Sequence, residues 1–312
     1  MTSPDSGRTD VSADEFDRLF QALRTWGRWG DGDQRGALNL LTPERVAAAA
    51  GLVQDGVTIT MSWPMQREAT ANNPEPAEHK MMFERSQGRS GTVVAKDYVG
   101  VHYHGDTHTH LDALCHIGYE GLLYNGVSTE VITSDGAAAD SVELVKDGLI
   151  GRGVLLDIPG VRGVPWLEPG DSVFRDDLEA AEQAQETPVR QGDVLLIRTG
   201  HARRLDELGP WDTPNHKAGL HPTAMTFLAD RGVSVLGSDG NSDTAPSQTE
   251  GVEFPVHVLA LTAMGVWLLD YVRFEELLAA CKQAGRWEFL FVAAPLRITG
   301  GTGSPINPLA IF

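Results

Sequence analysis

The chain has 312 residues, 41% of them apolar, and a formal net charge of −18. That length holds one large domain, or two, with an ample core, and so acidic a balance disfavours nucleic acid and anionic membranes as partners. No run of about 18 apolar residues is present, so no transmembrane helix is expected, and the polar start has no signal-peptide core.

Residues 1–12 read as a disordered tail and 13–312 as a single domain. A helix is predicted over Asp14–Thr25, with Phe16, Leu19, Phe20 and Leu23 on one face. The loop after it carries Trp26 and Trp29, which, with Trp63, are candidates for the wall of a substrate pocket, although packing is the commoner use of Trp. Thr42-Pro43 opens a second helix through Ala50, with Thr as N-cap and Pro in the first turn. Val57–Met61 alternates like a strand. Residues 64–91, rich in Pro, Asn, Glu and Arg, read as a long loop of the kind that often serves as a lid. Thr92–Val101 is a predicted strand.

That strand leads into His102–His116, which holds five of the ten histidines. If the segment is extended, residues two apart share a face, and Asp106, His108, His110 and Asp112 stand in one row. Neutral imidazoles and carboxylates are the ligands that Zn²⁺ and Mn²⁺ accept, and such a row is costly to bury without a partner. A divalent cation is the simplest one. Cys115 reads as a small buried hydrophobe rather than a nucleophile. With Cys281 it is one of only two cysteines, which argues against a disulfide framework and fits a reducing cytoplasm.

Tyr119–Gly126 looks turn-rich, and Val142–Lys146 reads as a short helix capped by Ser141. From there strands and helices alternate. The predicted strands are Gly153–Ile158, the run after Gly192-Asp193, Val233–Gly237, Val266–Leu269 and Phe289–Ala294. Between them lie predicted helices at Asp176–Gln183, Pro222–Asp230 and Phe274–Gly285, with Val256–Met264 helical or mixed. The alternation indicates an α/β or α+β class. Asp239 and Asp243 follow the third of these strands, where α/β proteins place functional groups; turn chemistry is the competing reading. Asp239 is kept as a pocket candidate. Gly300–Pro305 lacks the Gly-x-x-x-x-Gly-Lys signature, so it is read as a tight loop and no nucleotide site is expected.

The segment His108-Thr-His-Leu-Asp-Ala-Leu-Cys-His116 resembles the signature of the cyclase-type metal-dependent hydrolases, a family that includes bacterial kynurenine formamidases and isatin hydrolases. Gly237-Ser-Asp239 with Asp243, Pro255-Val-His257 through Asp270, Phe291 through Pro308 and Trp29-Gly through Asn39 resemble four further stretches of its members. The resemblance implies a swivelling α/β fold around a curved, barrel-like mixed sheet, in homo-oligomers. It implies one or two divalent ions, Zn or Mn, on His110, Asp112, His257 and Asp270. The family's first ligand falls at Asp106 here and its glycine at His108, so either residue could supply that ligand. His116 matches the proton-transfer histidine, and Tyr271 stands where the family usually has Asn. The implied reaction opens a small amide, cyclic amide or lactone by attack of metal-bound hydroxide, with His116 as general base and acid. Two alternatives remain: a cyclase or dehydratase using the same metal, and a non-catalytic protein that binds metal or a small molecule.

Overall fold

The computed structural model describes residues 10–85 and 90–312. Most of residues 1–12 therefore lie outside the described chain, but Val11 is buried and bridges Thr249. Helix α1 (Ala13–Leu23) starts where Ser12 and Glu15 form a reciprocal capping box, and it buries Phe16, Phe20 and Leu23 as their spacing predicts. Helix α2 (Pro43–Ala50) begins at Thr42, whose side chain accepts from the Arg45 amide.

The strands that matter for the site are β1 (Thr58–Thr60), β2 (Glu78–Arg85), β3 (Val93–Gly100), β4 (His110–Asp112), β5 (Leu149–Asp157), β6 (Val194–Arg198), β7 (Val235–Ser238), β8 (Trp267–Asp270), β9 (Glu288–Ala293), β10 (Gly303–Pro305) and β11 (Leu309–Ile311). Nine of them form one mixed sheet in the order β1-β11-β9-β5-β6-β7-β8-β4-β10, curled into a half-barrel. The four central strands, β5 to β8, are parallel, and the flanking pairs are antiparallel. Buried on both faces, β6 and β7 read as continuous apolar runs. The remaining helices are α3 (Ile158–Arg162), α4 (Arg175–Ala184), α5 (His201–Leu208), α6 (Met225–Arg231), α7 (Pro255–His257) and α8 (Glu275–Ala284). The chain leaves α7 directly into a fully buried π-helical turn, Val258–Met264, a conformation met mostly at functional sites. None of these helices is long and apolar enough to cross a membrane.

Three expectations change. The 64–91 loop contains β2, which pairs with β3 over eight residues in a ribbon whose side chains are largely exposed; residues 86–89 lie outside the described chain. Strand β5 starts at Leu149, ahead of the predicted Gly153, because its first half alternates buried and half-buried positions against β9. The glycine-rich run at 300–305 ends in β10, which pairs with β4.

Asp140 is fully buried, and neither oxygen of its side chain has a hydrogen-bond partner among the described residues. Burial first, then the nearby Asp33 carboxylate, pushes its pKa up to about 7. The folded state therefore holds a proton that the unfolded chain releases between about pH 4 and 7, and stability from this residue falls across that window. Asn suits the positive φ of Asp140. Asp140→Asn is expected to be more stable than the parent by a margin that widens by about 2–4 kcal/mol from pH 4 to pH 7, measured by denaturant unfolding. A margin that stays constant with pH would contradict this.

Candidate metal and catalytic site

Strand β4 places His110 and Asp112 two residues apart, hence on one face. Its neighbour β8 sets Asp270 directly opposite His110, so strand register alone brings three of the expected ligands together. His257, the last residue of α7, approaches from the other side: its Nε2 lies 3.5 Å from Asp112 Oδ2 and 3.3 Å from Asp270 Oδ2. His110 Nε2 is 3.5 Å, and His116 Nε2 3.9 Å, from Asp112 Oδ1.

Neither Asp106 nor His108, the two candidates for the first ligand, lies in this cluster. Only residues 110–112 of the expected row are extended; the chain bends repeatedly from His104 to His108, and the single shared face is lost. Asp106 turns away and accepts from Lys217 Nζ at 2.9 Å and from the Tyr271 hydroxyl. His108 is buried with Nε2 accepting from the Gln66 amide at 3.3 Å. The residue that joins the cluster is His104, whose Nδ1 lies 2.8 Å from Asp112 Oδ1. His104 belongs to the five-histidine stretch, and the turn-forming pair Gly105-Asp106 is the signal that the strand does not extend back through it. Space for its ring depends on Gly303, where a Cβ would stand 2.7 Å from His104 Cε1 and 2.3 Å from the Leu111 carbonyl oxygen.

Further groups orient the ligands. The carbonyl of His108 accepts from His110 Nδ1 at 2.7 Å, which leaves the His110 Nε2 lone pair directed at Asp112. Asp243, marked in the sequence only as part of a strand-end cluster, accepts from the Val256 and His257 amides and lies 2.6 Å from His257 Nδ1. Ser242 Oγ donates to Asp270 Oδ1 at 2.8 Å.

Asp112 has no solvent exposure, and its two oxygens, with Asp270 Oδ2, make no well-formed hydrogen bond. Burial opposes its ionisation, yet His116, His110, His104 and His257 hold its carboxyl well below the ordinary range. Burial likewise opposes a charge on His257, but Asp270, Asp112 and Asp243 hold its pKa well above normal. Orphaned buried carboxylate oxygens ringed by imidazole nitrogens are what a divalent cation satisfies. Two sets of donors converge closely enough to hold one: His104, His110 and Asp112, and Asp112, His257 and Asp270. Asp112 is common to both.

The sequence profile of the Cyclase family matches residues 57–243, more than half of the chain and all of the segment from His104 to His116. The chain belongs to the Cyclase family. A crystal structure described as a novel cyclase superposes with a TM-score of 0.84 at 34% identity, over 93% of this cyclase-family chain and 100% of the other. Isatin hydrolase of Roseibium aggregatum is 30% identical over 147 residues, 45% of this chain and 53% of the relative, so the match spans about half the length of that protein. Isatin hydrolase A from Labrenzia aggregata, bound to benzyl benzoate, shares the fold with a TM-score of 0.57 at 20% identity, covering 84% of this chain and 94% of that one.

The four pocket candidates in this family member separate. Trp26 donates from Nε1 to the Thr262 carbonyl at 2.7 Å and packs edge-on against Phe20. Trp29 lies beneath the Arg28 guanidinium. Asp239 is buried and accepts from the Thr199, Gly200 and His201 amides and the Thr199 hydroxyl, so it caps α5 rather than lining a pocket. Trp63 does line a cavity, of about 310 Å³, beside Tyr271.

Asp243 fixes the ring of His257 without reaching the other donors. Asp243→Asn should fold normally and bind Zn²⁺ about 10- to 100-fold more weakly, measured by equilibrium dialysis; affinity equal to the parent would remove its orienting role.

Proposed function

We propose that this protein is a metal-dependent hydrolase that opens a small amide, cyclic amide or lactone. The observation that carries the reading is the Asp112 carboxylate, buried, held well below its ordinary pKa range and, among the described residues, without a well-formed hydrogen bond amid four imidazoles. His104, His110, Asp112, His257 and Asp270 would hold one or two ions, Zn²⁺ or Mn²⁺. When bound, such an ion supplies Lewis acidity, which polarises a carbonyl and acidifies water. The hydrolase name of the Roseibium relative supports the same class.

The chain's own groups supply the proton chemistry. Burial, countered by Asp112, brings the pKa of His116 down to about 4, so the ring is neutral near pH 7 and free to accept a proton. Its side chain is 22% exposed, against none for Asp112, and it stacks face to face on His104 at 3.9 Å. In this reading His116 takes the proton of the attacking water and returns it to the leaving nitrogen or oxygen. Asp112 stabilises the imidazolium formed between those two events. A cyclase or dehydratase would use the same donors, as the description of the superposed novel cyclase suggests, but would leave simple formanilides, isatins and lactones intact.

Elemental analysis should find one or two equivalents of Zn or Mn, lost together with turnover in Asp112→Ala. His116→Ala should keep the metal and lower kcat by about 10²- to 10⁴-fold. An Asp112→Ala protein with full metal content and full rate would rule the mechanism out.

The homo-oligomer belongs to the same proposal. It is supported by the β2–β3 ribbon, which exposes Met82, Phe83, Tyr98 and Val99, since a lone two-stranded ribbon is marginally stable in water. Light scattering should report more than one copy per particle, and fewer for Phe83→Glu; a monomeric parent protein would withdraw it.

A further inference from the structure

Asp270, one of the metal donors, closes the carboxyl end of β8. A separate cavity, of about 410 Å³, lies where β5 and β6 begin, at the opposite end of the parallel strands. Register sets Val194, Val235 and Trp267 side by side. Asp193, which lines this cavity, therefore stands about four residues, or about 13 Å along the strands, before the level of Asp270. A molecule held here touches none of the metal donors.

Part of the lining is aliphatic. Helix α2 packs on β5, and Leu41, Ala48, Ala49 and Leu52 face the cavity. Gly151 and Gly192 contribute backbone alone. A Cβ at Gly192 would stand 2.9 Å from the Leu40 carbonyl oxygen and 3.0 Å from Arg45 Cδ, so the close approach of this segment requires glycine there. The remaining lining residues are polar: Arg45, Arg152, Arg190, Gln191 and Asp193.

The charges of these groups do not cancel. The Asp193 carboxylate accepts from Arg152 Nη1 and from the Arg190 amide. Glu288 accepts from Arg152 Nε, so the Arg152 charge is matched. Arg45 is fixed by neutral acceptors, the Leu40 carbonyl at 2.8 Å and Gln191 Oε1 at 2.7 Å, and among the described residues no carboxylate pairs with it. The exposed Arg190 guanidinium makes no hydrogen bond or ion pair among the described residues; only its amide does. Two guanidiniums thus line one cavity without an anion, in a chain whose net charge is −18. Arg45 is already oriented, so little freedom is lost when it meets one. Aliphatic surface with a few placed polar groups is the usual build of a small-molecule site, and the guanidinium fork matches a carboxylate.

We propose that this cavity is a second, non-catalytic binding site for an amphipathic carboxylate, with Leu41 and Leu52 against its hydrocarbon body and Arg45 and Arg190 on its charged end. The proposal does not depend on the reaction performed at the metal donors.

Octanoate is the probe, compared with acetate, which lacks the body, and octan-1-ol, which lacks the charge. Isothermal titration of the zinc-loaded protein should show octanoate binding about 10-fold or more tighter than acetate, and tighter than octan-1-ol. Arg190→Gln should weaken octanoate by about 5-fold, the upper range for an exposed ion pair. Arg190→Glu should weaken it further, and neither variant should change octan-1-ol. Ala48→Trp should abolish octanoate binding by filling the space, with the thermal melt of each variant reporting its fold. The same site should persist in Asp112→Ala, where a carboxylate held by the metal would be lost. No octanoate binding by the parent protein, or parent-like binding by Arg190→Glu or Ala48→Trp, would overturn the proposal. Octan-1-ol binding as tightly as octanoate, or loss of the site in a folded Asp112→Ala protein, would do the same.

Discussion

The structure depends on keeping the Asp112 carboxylate ionised where no water reaches it. An isolated buried carboxylate would take up a proton. Here four imidazoles surround it at 2.8 to 3.9 Å, and they come from a bend, a strand, a turn and a helix end. No single element could assemble that ring. The mixed sheet does so by register: β4 is inserted antiparallel beside the last parallel strand, so that His110 and Asp270, remote in the chain, become a cross-strand pair.

Around this centre, shape and charge are fixed by groups that never touch the donors' central space. Gly303 clears room for His104, the His108 carbonyl selects the tautomer of His110, and Asp243 both caps α7 and grips His257. The fully buried π-helical turn that follows His257 is tied back through Thr262, which donates to Ile117 and accepts from Trp26. The aromatic loop after α1 is thus a brace for the helix that carries a donor.

Much of this was legible in the residues. Apolar runs such as Val194–Ile197 and the cap at Thr42 follow from local chemistry, and each is found where that chemistry puts it. His110, Asp112, His116, His257 and Asp270 lie together in the fold, where the family resemblance implies a shared site. The single row of Asp106, His108, His110 and Asp112 breaks for one reason: alternation does not carry across a turn. A period of two is informative only while the backbone stays extended, and Gly105-Asp106 ends that. Asp106 and His108 therefore lie apart from the cluster, and His104, which alternation does not single out, lies in it. Asp239 is a different case: a carboxylate at a strand end can cap a helix or serve a site, and here it accepts from the Thr199 to His201 amides.

The pairing of Asp106 with Lys217 restricts what either position can hold. Lys217 is almost wholly buried, and its side-chain exposure is 4%. Replacing Asp106 alone by a neutral residue would leave an unmatched ammonium in the interior, at a penalty of about 3–5 kcal/mol. It would also remove the acceptor of the Tyr271 hydroxyl. Positions 106, 217 and 271 are thereby coupled: a change at one of them destabilises the fold unless the others change with it.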